Sequence, residues 1–414
     1  MDIINPHCAG LDVHKKTVVA CRLNRDAQGN KQRETRTFGT MTHDLLALSD
    51  WLQEGGATQV ALESTGEYWK PIYNILEENF TLLLVNARHI KAVPGRKTDV
   101  KDAEWIADLL EHGLLRASFV PPPVQRGLRD LCRHRSNFIR ERATLANRVQ
   151  KVLEGSNIKL SSVATDVLGV SGRAMLDAIV VGQTDPTMMA DLAKGRLRDK
   201  REQLEQALRG RVLTYHRFIL SELLCQIDSL DETITRFNEE IEACCAPFEE
   251  AVVHLDTIPG VARATAELIV SEIGTDMSRF PSARHLAAWA GVAPGNNESA
   301  GKRLSGRLRQ GNQVLRTGLV QAAHAAARTK SYFSAQYHRL AGRRGKKRAI
   351  MAVAHSILVI AFHLIQRGED YRELGKDYFD QRRPDLAARR LTQRLNQLGY
   401  EVTLNQLEAV QPPT

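Results

Sequence analysis

From Cys8 onward the apolar positions fall first into short β-branched runs and then into helical steps. CAGLDVHKK and TVVACRL read as two strands joined tightly, like a hairpin, with RETRTFGTM as a third. HDLLALSDWLQEGG has helical spacing and a glycine stop, TQVALEST reads as a fourth strand, YWKPIYNILEENF as a helix and TLLLVNA as a fifth strand. VKDAEWIADLLEHGLL is then an amphipathic helix, closed off by Pro121, Pro122 and Pro123. Beyond it the period stays helical. Residues 126–157 form a basic helix pattern with eight Lys/Arg and three acids. Leu223, Ile227, Leu230, Ile234, Phe237 and Ile241 step by four and three, a coiled-coil seam of about three heptads. Pairing within the chain, against the 126–157 helix, and pairing between chains both fit that seam. TIPGVARATAELIVSEIG has an apolar lead, a Pro-Gly turn and a helix. The segment fits a helix-hairpin-helix, whose turn amides around Gly260 can hold a phosphate, and a plain helical turn equally well. Ser299 to Gln313 is rich in Gly, Arg and Ser and reads as a loop. Helices follow over Val314–Thr329 and Lys347–Gln366, and a basic amphipathic helix over Pro384–Leu398.

Three strands followed by helix, strand, helix, strand, helix is the order of a ribonuclease H/RuvC-like α/β fold, which places such a domain at residues 1–122. The remainder divides into a helical, coiled-coil region at 123–250, a mainly α-helical third domain at 251–370, and a basic helical tail at 371–414. A chain of 414 residues is long enough for that number of cores.

Charge sharpens the reading. The net charge is +9, yet between Asn296 and Ile350 there are 13 Lys or Arg against a single acid, Glu298. So concentrated a basic block points to a polyanion, and nucleic acid is the commonest one. The six cysteines show no CxxC pair and no zinc spacing, and read as reduced thiols of a cytoplasmic protein. The N-terminus lacks a charged-then-apolar signal pattern. The most apolar run, Ala349–Ile365, is short for a membrane span and reads as a buried helix, so no membrane partner is expected.

Four carboxylates stand where the predicted fold would gather them. Asp12 lies in the first strand, Glu63 ends the fourth, and Asp99 and Asp102 are three residues apart at the start of the domain's last helix. Clustered carboxylates repel unless a cation sits among them, and an all-oxygen donor set suits Mg²⁺ or Mn²⁺. Two such ions about 4 Å apart would clamp a scissile phosphate. Taken singly, each acid is equally well a helix cap, a dipole partner or a surface charge; their joint placement favours the metal reading.

GLDVHKK, ALESTGEYW, VNARHIKAVPGRKTDVKDAEWIADLLEHGLL, TIPGVARATAELIVSEIG and HLAAWAGVAPGNNESAGKRLSGRLRQGNQVLR together resemble the insertion-sequence transposases with an Asp-Glu-Asp-Asp tetrad. These form insertion-sequence family one hundred and ten, here its one-thousand-one-hundred-and-eleven branch. The resemblance covers nearly the whole chain. It implies a RuvC-like domain linked by a coiled coil to a C-terminal transposase domain with a catalytic serine. The tetrad would fall on Asp12, Glu63, Asp99 and Asp102, and the serine on Ser299, with Ser305 as the competing candidate. It further implies a noncoding guide RNA that specifies donor and target DNA. Dimers would pair into a tetramer, the acidic site of one subunit completed by the serine of another.

A serine suits strand rejoining. Its phosphate ester keeps a 5′ phosphate bound to the chain, whereas attack by water would lose that bond to hydrolysis. Lys302, Arg303, Arg307 and Arg309 beside Ser299 suit an anionic transition state. Two rivals stand against this reading: a Holliday-junction-type nuclease that uses the tetrad and water, and a non-catalytic nucleic-acid scaffold.

Overall fold

The computed structural model describes residues 2–25, 29–64, 66–86, 102–295, 297–299, 301–306, 308 and 310–404, with the backbone alone at 297–299 and 303–305. The chain divides into two compact units, Met1–Pro121 and Pro122–Thr414.

The first unit is built on one mixed sheet of five strands: β1 (Cys8–Val13), β2 (Thr17–Arg25), β3 (Lys31–Gly39), β4 (Gln59–Glu63) and β5 (Thr81–Val85). Their order across the sheet is β3-β2-β1-β4-β5. The first three strands pair antiparallel, and β1–β4 and β4–β5 pair parallel. Helices α1 (Thr42–Glu54) and α2 (Trp69–Leu76) cover one face. Leu45, Leu48, Leu52, Ile72 and Leu76 pack there onto Ala9, Leu11, Val13, Val60 and Leu62. Helix α3 (Asp102–Glu111) covers the other, with Ala103, Ile106, Ala107 and Leu110 against Cys8, Cys21, Ala61 and Val85. This is the element order expected from the sequence, and it is consistent with a ribonuclease H-like domain.

Two devices fix α3 on the sheet. A Cβ added at Gly10 would lie 2.4 Å from the Ala103 carbonyl oxygen and 2.4 Å from the Ala107 nitrogen. Only a glycine in β1 lets the helix backbone come so close. The second device is a lattice of charges from the edge of the sheet. Arg25 and Lys31 donate to the two oxygens of fully buried Glu111 at 2.9 and 2.7 Å, while Lys31 and Arg33 bind Asp108. Burial alone would raise the Glu111 carboxyl, but hydrogen bonds from Lys31 and Arg25 outweigh it and hold the group below its usual range.

The second unit is mostly helical. Its two long helices, α4 (Pro123–Gly155) and α9 (Thr214–Cys245), run antiparallel: Arg142 pairs with Asp231, Arg135 meets Asn238 at 3.1 Å, and the Phe138 and Phe237 rings lie 5.2 Å apart. The seam read along α9 therefore faces α4 of the same chain. Between these helices come α5 (Leu160–Val163), α6 (Val170–Val180), α7 (Pro186–Ala190) and α8 (Arg201–Ala207). They close one core with Leu145, Val149 and Leu153 of α4 and Leu220, Leu224 and Ile227 of α9.

The opposite ends of the two long helices enter a second core. Leu128, Cys132, Ile241 and Cys245 pack there with α10 (Glu249–Asp256), α11 (Arg263–Ile273), α12 (Ala283–Trp289), α13 (Gln313–Ala326), α14 (Tyr332–Arg344) and α15 (Lys346–Arg367). This core draws on residues from both sides of position 250. Helix α15 has the length and mean hydropathy of a membrane span, yet half of its apolar stretch is buried, with Val353, Ala354, Ile357 and Leu358 inside the core. Two further helices, α16 (Tyr378–Gln381) and α17 (Pro384–Gln397), lie in the tail; α17 carries the predicted amphipathic pattern and buries none of its residues. All six cysteines are unpaired.

Candidate active site

The sheet and α3 set Asp12, Glu63 and Asp102 at one end of the first unit. In β1, Ala9, Leu11 and Val13 point into the core under α1 and α2, so the alternation of the strand turns Asp12 to the α3 face. The same alternation applies in β4, where Val60 and Leu62 belong to the first face and Ala61 to the second, so that Glu63, two residues on, is turned to the second as well. Leu11 is in register with Leu62 across parallel strands, which sets Asp12 beside Glu63 at the carboxyl ends of both.

Helix α3 runs antiparallel to β1. Its far end meets the start of the chain, where Ile4 N–H donates to the Glu111 carbonyl at 2.9 Å and Asn5 Nδ2 to that of Leu110 at 2.7 Å. Gly10 lies against Ala103 and Ala107. Asp102, immediately before Ala103, thus opens the helix at the end of the sheet where Asp12 and Glu63 stand.

Asp12 is mostly covered, its side chain 17% exposed, and its Oδ2 lies 3.2 Å from His14 Nε2. Asp102 is exposed. Asp99, the fourth predicted member, lies outside the described residues. Among the described residues no group of three or more His, Cys, Asp and Glu side chains is drawn close enough to hold an ion.

The serine segment lies in the second unit. In place of the expected loop, two short strands pair: β6 (Asn297–Ser299) and β7 (Lys302–Ser305), with Ser299 opposite Lys302, Glu298 opposite Arg303 and Asn297 opposite Ser305. Ser299 is thereby the last paired residue of β6, and Ser305 stands at the hairpin's base. Strands of three and four residues are too short for alternation to reveal in a Gly/Arg-rich sequence, and cross-strand pairing supplies what composition hides. Lys302 is exposed; Arg307 and Arg309 lie outside the described residues.

The Pro-Gly turn joins α10 to α11 as a compact helix–turn–helix, with Gly260 at φ +87°. A Cβ there would lie 2.5 Å from the Ala322 carbonyl oxygen and the Ala326 nitrogen of α13, so close packing accounts for the glycine.

Two family models match this chain. One, described as a transposase of the Asp-Glu-Asp-Asp IS110 type, covers residues 9–158, and the other, the transposase IS116/IS110/IS902 family, covers residues 253–338. Together these spans take in more than half of the sequence. The chain belongs to this transposase family.

Relatives agree with it. The chain is 26% identical over 295 residues to the transposase for insertion sequence element IS1111A of Coxiella burnetii, covering 70% of this chain and 72% of that one. It is 28% identical over 326 residues to a putative transposase of Sinorhizobium fredii, covering 76% and 75%. A pilin gene-inverting protein of Moraxella bovis matches at 26% over 379 residues, covering 87% of this chain and 96% of its own. The chain is thus a DNA transposase/recombinase of the IS110 family, a group whose acidic tetrad implies divalent metal use in general.

The sequence does not set apart one cationic feature of the transposase. Arg343, Arg344, Lys346, Lys347 and Arg348 crowd the turn between α14 and α15, all exposed, and none pairs with a described acidic side chain. In sequence they are only the end of a long basic block. The turn at Gly345 is what gathers them at the N-terminus of a 22-residue helix.

Proposed function

We propose that this transposase cuts and rejoins DNA through a serine phosphodiester, using a RuvC-like acidic centre made by Asp12, Glu63, Asp99 and Asp102. The observation that carries the reading is the antiparallel lay of α3 on β1, which brings Asp102 to the carboxyl ends of β1 and β4. Ligand sites in α/β sheets sit at such ends. The donor set is carboxylate oxygen, which fits Mg²⁺ or Mn²⁺, most simply a pair of ions. When bound, these ions supply positive charge to the scissile phosphate.

The chain's own groups do the rest. The Ser299 hydroxyl attacks phosphorus, a serine–phosphate ester forms, and the DNA 3′ oxygen leaves as a hydroxyl with the proton that the serine gives up. A second 3′ hydroxyl then attacks the ester, and the serine oxygen leaves and takes its proton back. One phosphodiester is exchanged for another, and no water is consumed. Lys302, Arg303, Arg307 and Arg309 surround the serine in sequence and offer positive charge to the phosphate. A noncoding guide RNA, an assembly of dimers into tetramers and a coiled-coil linker between the domains complete the proposal, each from the family resemblance. Gly260 is a weaker candidate for a DNA phosphate contact.

The deciding experiment incubates the protein, its element's noncoding RNA and labelled donor-end DNA with Mg²⁺, then resolves DNA linked to protein on a denaturing gel. An adduct that EDTA abolishes, and that peptide mapping places on Ser299, is expected. Free cleaved ends without adduct would instead indicate a nuclease that uses water.

The cationic turn makes a second prediction. Substituting Gln for Arg343, Arg344 and Lys347 together is expected to weaken DNA binding. It should also flatten the slope of log affinity against log salt by about 3, because each lost phosphate contact removes about 0.9. Fluorescence anisotropy across a salt series measures both; an unchanged slope would remove this turn from the DNA path.

A further inference from the structure

The segment that carries Ser299 leaves the helical core after α12 and returns to it at α13, and its stem is closed by direct backbone contact. A Cβ on Gly311 would fall 2.4 Å from the Gly291 nitrogen and 2.6 Å from the Ala290 carbonyl carbon. The Asn312 N–H donates to the Trp289 carbonyl at 3.3 Å. Asn312 is the first residue past the stem, and its side chain works in two directions. Its Oδ1 accepts from the Val314 and Leu315 N–H groups at 3.1 and 3.0 Å, capping α13. Its Nδ2 donates to Glu272 Oε2 at 2.5 Å.

Glu272 is a carboxylate with no exposure at all. Arg133 of α4 grips both its oxygens, at 2.7 and 3.0 Å, and Arg129 Nε stands 3.3 Å from Oε2. Arg129 also donates to the Glu272 and Ser271 carbonyls, and Gln125 donates to that of Ser271. The carboxylate can neither rotate nor shift without breaking charged hydrogen bonds. For stability alone such a group is a poor choice, since a well-packed hydrocarbon does as well or better. What it supplies is a fixed direction for its last partner, the amide of Asn312.

We propose that Glu272, set by Arg129 and Arg133, is a positioning residue that orients Asn312 and so fixes the stem of the hairpin bearing Ser299. The inference rests on Ser299 as the nucleophile for its effect on catalysis, but not for its effect on the hairpin. An error of about 1 Å in a reacting group's position can lower a rate about 100-fold.

Asn312→Asp separates this role from capping. Aspartate caps a helix as well as asparagine, but it sets a second carboxylate against Glu272. In the pair Asn312→Asp with Glu272→Gln, donor and acceptor exchange places, the cap survives and one negative charge remains for the two arginines. Two rates are read: adduct formation at saturating DNA, and trypsin cleavage after Lys302, Arg303, Arg307 and Arg309.

Asn312→Asp is expected to slow adduct formation about 100-fold with DNA affinity held within about twofold, and to speed hairpin cleavage about tenfold. The double variant is expected to return both rates to within about threefold of the parent, the coupling that a direct contact requires. A merely structural role would let Asn312→Asp weaken DNA binding and adduct formation alike, with no rescue by Glu272→Gln. Unchanged trypsin cleavage in Asn312→Asp, or a double variant no better than the single one, overturns the proposal. If the parent protein forms no adduct, the serine reading fails by itself, and the trypsin arm still decides the clamp.

Discussion

Ser299→Ala is expected to remove DNA strand transfer by roughly three orders of magnitude or more while leaving folding and DNA binding intact. On the proposed mechanism, removing the hydroxyl leaves no ester, and without the ester there is no route to rejoining that avoids hydrolysis. Ser305→Ala, at the base of the same hairpin opposite Asn297, is expected to stay near the parent rate, because the two serines lie at different ends of the paired strands. Asp102→Asn is expected to match Ser299→Ala in lost activity for a different reason, the loss of a charged oxygen donor at the carboxyl end of β1. Its effect on stability should be small: Asp102 is exposed in the first turn of α3, where a negative charge contributes about 0.3–1 kcal/mol, and asparagine is well tolerated at a helix start. Strand-transfer assays beside thermal unfolding would show whether activity and stability part company in this way. Cleavage that persists in Ser299→Ala and vanishes in Asp102→Asn would leave a metal-dependent nuclease and remove the serine from the mechanism.

The first unit was legible because its signals are local and strong. Alternation and β-branched runs gave all five strands. The pairing of β1 with β4 follows once three strands precede the first helix, and the placement of Asp12, Glu63 and the start of α3 at one end of the sheet follows from that topology. What no local pattern holds is the means of assembly. Gly10 looks like any strand glycine until Ala103 and Ala107 are seen against it, and Glu111 looks like a helix-surface acid until Arg25 and Lys31 reach it from β2 and β3.

In the second unit, pairing partners decided what periodicity could not. The α9 seam was plain in sequence, but only the Arg142–Asp231 and Phe138–Phe237 contacts settle that it meets α4 of the same chain. Helix α14 went unread because its apolar stripe is thin, with Phe333 its one fully buried residue. The β6–β7 hairpin reads as loop in the sequence because its strands are too short to show a period. In sequence Glu272 is one more acid in an apolar helix; its partners Arg129, Arg133 and Asn312 lie far from it in the chain.

Gly10→Ala tests whether α3 assembles the acidic site. The added methyl would meet backbone atoms on both sides of one helical turn, 2.4 Å from the Ala103 oxygen and the Ala107 nitrogen, and backbone cannot rotate away as a side-chain tip can. To regain ordinary contact α3 must move off the sheet by about 1 Å, a form of overpacking that costs about 3 kcal/mol. The displacement acts directly on the site. Asp102 adjoins Ala103 and moves with it, while Asp12, two residues from Gly10 on a central strand, stays. Activity measured well below the unfolding temperature should therefore fall about 100-fold, far more than the lost stability alone would cause. Gly127→Ala is the matched control: it lies inside α4 with nothing within 4 Å of its added methyl, so it should gain up to about 1 kcal/mol and keep full activity. If Gly10→Ala loses stability but keeps its rate per folded molecule, the carboxylates do not depend on this contact for their arrangement. A rate that collapses with the fold still intact would tie the chemistry of Asp12 and Asp102 to the absence of one methyl group between strand and helix.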